Sequence, residues 1–209
     1  GRGGDATGTL RVSVVPRFEV RIRRTSNAVA LRPMAIAGTV TTRLSGPVTV
    51  SLQQRNSNGR WIELREHRVR GKDRFSLTWT PTRPGPTALR LHARWERGAS
   101  DVSTTERFRV EARFDPDVES VSAKDVPHTW RPGCPVPPAG LRQIHMNYWD
   151  YQGRLQRGTL IGAASVTQDY IAIFRRAFET GFQIKKMYPA DRYGGIDERA
   201  MRAGNTSAF

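Results

Sequence analysis

Between Leu10 and Ala112 the chain alternates apolar and polar residues in short runs, and a period of two is the pattern of a strand with one buried face. Leu10, Val12 and Val14 alternate with Arg11 and Ser13; Phe18, Val20 and Ile22 with Glu19 and Arg21; Val48, Val50 and Leu52 with Thr49 and Ser51. Farther on, Phe75, Leu77 and Trp79, then Leu89, Leu91, Ala93 and Trp95, then Phe108, Val110 and Ala112 repeat it. Turn residues fill the gaps: Ser45-Gly46-Pro47, Asn56-Ser57-Asn58-Gly59, Gly71-Lys72-Asp73 and Pro84-Gly85-Pro86. Short strands at this spacing, with no helical period among them, predict an all-β, immunoglobulin-like sandwich over residues 8–113.

The second half reads differently. Residues 114–131, with Asp115-Pro116-Asp117 and Pro127, read as a linker that becomes the entry arm of a second domain, residues 132–209. There, Leu141–Tyr148 suits a strand, Asp150-Tyr151-Gln152-Gly153 a turn, and Leu155–Ile161 a second strand. A helix follows, capped by Ser165 or Thr167, with Ile171, Phe174 and Phe178 on one face, Ile173 and Ala177 as an i, i+4 pair, and Gly181 at its end. Phe182–Tyr188 is expected to be a strand, and Ile196–Ala203 a short helix opened by Asp197 and Glu198.

The net charge of +15 is lodged in the first half: residues 1–113 hold 22 of the 34 Lys and Arg but only 9 of the 19 Asp and Glu. Arg90, Arg94, Arg107 and Arg109 fall on the polar side of two strands that could be neighbours. They form either a polyanion-binding patch for phosphate- or carboxylate-bearing polymers or a merely solvated face, and a GC-rich genome also raises Arg content. A nucleic-acid partner is disfavoured, because no nucleic-acid motif is present and Trp79 and Trp95 lie on the apolar side of their strands, where they cannot stack on bases. No apolar run is long enough to span a membrane. The start, Gly1-Arg2-Gly3-Gly4-Asp5, has no apolar core, so the expectation is that any secretion signal has been removed or was never included. The single cysteine, Cys134, allows no internal disulfide.

Two resemblances refine this. Gly59-Arg60-Trp61, Phe75-Ser76-Leu77-Thr78-Trp79-Thr80-Pro81 and Pro84-Gly85 resemble bacterial immunoglobulin-like modules attached to secreted enzymes. From about Pro132 to Phe209 the chain resembles the opening half of the D-alanyl-D-alanine carboxypeptidase family, zinc peptidases of peptidoglycan stems that share an α+β fold with Hedgehog domains. The matching residues are Gly133-Cys134-Pro135-Val136, Leu141-Arg142, Asn147-Tyr148-Trp149-Asp150-Tyr151-Gln152-Gly153, Ile173-Phe174, Ile184-Lys185-Lys186-Met187, Tyr193-Gly194-Gly195-Ile196-Asp197 and Asn205-Thr206-Ser207-Ala208-Phe209.

The resemblance implies a secreted or otherwise extracytoplasmic cell-wall hydrolase with the sandwich as targeting module. In the family, the last pentapeptide leads into a substrate-gripping Arg and a Ser-x-His motif whose His, with an Asp seven residues later, binds zinc. This sequence does not contain them: seven residues after His67, His92, His128 and His145 come Arg74, Ala99, Pro135 and Gln152. A zinc hydrolase needs three protein ligands and an open position. The expectation is therefore a domain truncated before its metal ligands, with no catalytic or metal residue of its own, no zinc bound and no activity in the chain as given. The histidines are read as structural, and Ser207 has no triad partners. The resemblance also implies that Cys134 pairs with a cysteine beyond Phe209; a small buried residue is the alternative. A non-catalytic module binding cell wall or polyanions is the alternative function.

Overall fold

The computed structural model describes residues 18–24, 27–42, 45–70, 73–96 and 98–205. The run Leu10–Val14, the Gly71-Lys72 turn residues and the final Thr206-Ser207-Ala208-Phe209 lie outside them. The chain is mostly β-sheet. Its strands are β1 (Phe18–Arg24), β2 (Ala28–Val29), β3 (Met34–Thr42), β4 (Pro47–Arg55), β5 (Trp61–Arg70), β6 (Arg74–Trp79), β7 (Gly85–Trp95), β8 (Ser100–Val102), β9 (Glu106–Glu111), β10 (Asp117–Ser120), β11 (Leu141–Trp149) and β12 (Leu155–Ala163). Two α-helices follow, α1 (Thr167–Glu179) and α2 (Asp197–Arg202). The fold divides into two compact units, Gly1–Thr25 with Ala35–Leu77 and Ala88–Glu106, and Ser26–Met34 with Thr78–Thr87 and Arg107–Phe209.

The first unit is built from two sheets. One has the order β1-β3-β6, with Val20 opposite Val40; the other runs β7-β4-β5, with β8 alongside β7. Alternation in the sequence becomes alternation in burial: Ile36, Val40, Phe75 and Leu77 on the first sheet, and Val48, Val50, Leu52, Leu89, Leu91 and Ala93 on the second, are buried. Two one-sided sheets exclude water from their apolar faces by stacking them, so the layers form a sandwich. The Val20 N–H donates to Asp101 Oδ2 at 2.9 Å, tying β1 to β8.

Two local devices set this geometry. Between Leu52 and Gln53 the β4–β5 register slips, leaving Leu64 as an extra residue on β5. Gly38 is the second: a Cβ there would lie 2.1 Å from Phe75 Cζ, so only glycine lets the ring lie flat against β3.

In the second unit, β2 pairs parallel with β9, Ala28 opposite Val110. β10, β11 and β12 form an antiparallel sheet with β11 in the middle, Ile144 opposite Leu160 and Val118. Residues expected to be linker thus supply an edge strand: β10 is exposed, with Val118 its single apolar residue, so it carries no apolar period to read, and its backbone pairing places it. Ile144, Met146, Tyr148, Ile184 and Met187 form the core, against which Tyr170, Ile171 and Phe174 of α1 pack.

The α1 helix begins as predicted, although neither Ser165 nor Thr167 caps it through its side chain. A 3-10 turn, Ala164–Val166, feeds into it, and the Thr167 hydroxyl donates to the Ala163 carbonyl. It ends in a Schellman motif, with Phe182 N–H donating to Ala177 O at 2.9 Å and Gly181 N–H to Phe178 O at 3.1 Å. The φ of +72° at Gly181 explains the glycine. Ile173, the partner of Ala177 in the i, i+4 pair, is 63% exposed.

The strand expected at Phe182–Tyr188 does not form. Its backbone makes separate attachments to two strands, Ile184 N–H to Trp149 O at 2.8 Å and Thr159 N–H to Met187 O at 3.0 Å, where a ladder would need one partner. α2 agrees with the expected Ile196–Ala203 helix, with Asp197 and Glu198 in its first turn.

Candidate functional site

Of the four arginines proposed as a patch, two lie in the first unit and two in the second. On β7, burial of Leu89, Leu91 and Ala93 turns Arg90, His92 and Arg94 to the opposite face. Pairing sets Gln53 opposite both Arg90 and Glu63, and Ser51 opposite both His92 and Glu66. Arg90 is held: its guanidinium lies 4.2 Å from the Trp61 ring centroid and its Nε donates to Gln53 Oε1 at 2.9 Å. Arg94 Nη2 pairs with Glu66 Oε1 at 3.1 Å. The face is thus a mixed strip of charges and one aromatic, and Glu66 and Glu63 temper its basic character. His92 is held below its usual range by burial, then by Arg94 and Arg90, with Glu63 opposing. Arg107 and Arg109 are exposed on β9, and Phe108 between them packs edge-on to Trp79.

In the second unit, Asp150 organises the turn after β11. It is 4% exposed, and it accepts from Gln152 N–H, Arg154 N–H, Arg154 Nε and Gln156 Nε2 at 2.8–2.9 Å. Burial pushes its pKa up, but the four hydrogen bonds together outweigh it and hold the carboxyl at about 2. Tyr148, in the core behind it, is pushed up to about 12, first by burial and then by Tyr188 and Asp150.

Two grooves flank β12, and Leu160 and Ile161 line both. One, of 390 Å³, also takes in Cys134, Trp130, Asp191 and Asp197; the other, of 520 Å³, is apolar, with Tyr170, Phe174 and Phe182. Cys134 is exposed and free, its N–H donating to Arg131 O at 3.0 Å, which overturns the alternative of a buried packing residue. Asp191 serves a structural purpose, since its carboxylate accepts from the backbone of His128 and Thr129 and from the Thr129 hydroxyl. Gly195, in the resembling segment, faces His128 O, which a Cβ would approach to 2.9 Å.

His145 stands on β11, the middle strand of its sheet. Its Nδ1 meets Thr159 Oγ1 at 2.8 Å, and its Nε2 lies 3.7 Å from Glu119 Oε2. His67 stacks on Phe75 with centroids 6.0 Å apart. Among the described residues no three His, Cys, Asp or Glu side chains gather as metal ligands. The described residues therefore offer no three-ligand set of the kind a zinc centre needs. No helix of the described residues is long and apolar enough to cross a membrane.

What the sequence missed is the pair of grooves: their walls come from residues scattered between Val126 and Asp197, and only the folding of β12 beside Pro189 and α1 brings them together. No family model matches the chain, and no curated protein matches it. Among solved structures, the CARDB domain of a Pyrococcus furiosus protein, determined in complex with di-metal ions, is similar at a TM-score of 0.33 and 16% identity, over 51% of this chain and 100% of that one.

Proposed function

We propose that this chain is part of a secreted cell-wall peptidase of the D-alanyl-D-alanine carboxypeptidase type, in which an immunoglobulin-like sandwich carries an α+β peptidase domain to peptidoglycan. One observation carries the reading. The residues of the resemblance in the second unit are those on which its fold hangs: Tyr148, Ile184 and Met187 make its core, Asp150 its turn, and Asn205 a double clamp on Tyr188. In this reading the domain's ligands for zinc are supplied outside this sequence, and the chain's own residues build the scaffold around them. Cys134, exposed at the rim of a groove, is placed where a covalent partner can reach it.

The test uses the protein as its genome encodes it. Elemental analysis is combined with release of D-alanine from a muramyl pentapeptide ending in D-Ala-D-Ala, before and after chelation. Bound zinc and chelator-sensitive release support the reading. A folded protein with neither overturns it.

A further inference from the structure

Strand pairing lines up the outward side chains of the sandwich in rows. Glu63, Gln53 and Arg90 make one row, and Glu66, Ser51, His92 and Val102 the next. The row after that is Arg68 of β5, Thr49 of β4, Arg94 of β7 and Ser100 of β8, all within the first unit. The Ser51 hydroxyl donates to Glu66 Oε1 at 3.4 Å, so Glu66 shares the outer side of Ser51, and Arg68, two residues on, shares it too.

The first two rows each contain a carboxylate, and the third contains none. It consists of two guanidiniums, which only donate, and two hydroxyls, which can. Arg94 gives one nitrogen, Nη2, to Glu66 and keeps the rest of its fork. Among the described residues the side chains of Arg68, Thr49 and Ser100 have no partner. Arg68 and Arg94 are exposed and Thr49 between them is half-buried. Two strand spacings separate the arginine backbones by about 10 Å, which two side chains of this length can close on one ligand. Arg70 follows Arg68 on the same side, while Glu96, past the end of β7, lies against Gly46.

We propose that this row binds a phosphomonoester group carried on a sugar. Such a group has three terminal oxygens and nearly two negative charges. Arg68 and Arg94 meet it from either side, and the Thr49 hydroxyl meets it from below. A carboxylate has two oxygens, which one guanidinium fork already satisfies. β4 and β7 are paired on both sides, so no backbone edge is open here to an extended peptide. Beside the charges the face offers Ser100 and Gln53, a hydroxyl and an amide that suit the hydroxyls of a sugar. The proposal does not rest on the peptidase reading, because none of these residues belongs to the second unit.

The test is an NMR titration of the 209-residue chain with an N-acetylglucosamine oligosaccharide bearing a terminal phosphomonoester, at physiological salt. Saturable shifts are expected at the amides of Thr49, Arg68, Arg94 and Ser100. Arg68→Gln should weaken binding about tenfold and Thr49→Val, which keeps the charge, about threefold. Arg65, opposite the buried Leu52, lies on the other side of the same strand, so Arg65→Gln removes an equal charge and should weaken binding by less than about twofold. No saturable shift, or equal losses for Arg65→Gln and Arg68→Gln, overturns the proposal. So does equal binding of the unphosphorylated or sulfated oligosaccharide, or tighter binding of a phosphoserine peptide. Zinc content and hydrolysis are not read in this experiment, so its failure leaves the peptidase reading untouched, and the reverse holds as well.

Discussion

The Asn205 side chain holds both backbone groups of Tyr188: its Oδ1 accepts from the Tyr188 N–H at 3.0 Å, and its Nδ2 donates to the Tyr188 C=O at 2.9 Å. An amide that presents donor and acceptor to the N–H and C=O of one residue imitates a neighbouring strand, and Asn205 is 4% exposed, so water cannot replace it. Asn205→Ala should cost about 2–3 kcal/mol, from two hydrogen bonds lost at a buried site. Asn205→Asp should cost as much or more, since it keeps the acceptor but removes the donor and buries a charge. Urea unfolding followed by tryptophan fluorescence measures both.

Asp150 makes stability depend on pH in a defined direction. Its folded pKa of about 2 lies below the ordinary 3.8, so the unfolded chain binds the proton more readily. The stabilisation is complete above the unfolded value and is lost as pH falls through about 2. The difference amounts to about 2 kcal/mol at neutral pH. Asp150→Asn should therefore be less stable than wild type at pH 7 by about that amount, with the gap narrowing between about pH 4 and pH 2. A gap that does not change with pH would show that the carboxylate charge is not the source.

Gly38 and Phe75 should behave as one unit. Gly38→Ala drives a methyl into the ring and should cost about 1–3 kcal/mol, while Gly38→Ala combined with Phe75→Leu should cost less than the two singly added. A double-mutant cycle in urea reads the coupling, and additivity would show that β3 moves aside instead.

On the outer face of the sandwich, Glu66 restrains Arg94. Both side chains are about half exposed, so Glu66→Gln should change stability by less than about 1 kcal/mol. The same change should raise the salt concentration needed to elute the protein from heparin, because it frees a guanidinium on a face that already holds Arg90. An unchanged elution would remove this face from consideration as a polyanion site.

Much of the sandwich could be read from the sequence because its strands bury one face: the sets Val48-Val50-Leu52 and Leu89-Leu91-Ala93 enter the core as the alternation requires. The α1 helix and its Gly181 cap were legible for the same reason, since cap and period are local. Elements placed by partners alone were not legible. β10 has no apolar face, and Phe182–Tyr188 has strand-forming residues whose backbone is claimed by Trp149 and Thr159 in turn. The Arg patch was half legible: spacing put Arg90 and Arg94 on one face, but Glu66 and Trp61 reach them across strands that only the fold makes neighbours.

β5 was the hardest strand to read, and its extra residue explains why. Leu64 acts on this sheet as an inserted letter acts on a reading frame: before it the odd-numbered residues share a side with Gln53, and after it the even-numbered ones share a side with Ser51. Trp61 meets Arg90 because of that shift in phase. Remove one residue, and Ile62 would be displayed in its place while the indole turned inward, so the chemistry of this face is written in the count of residues as much as in their kinds.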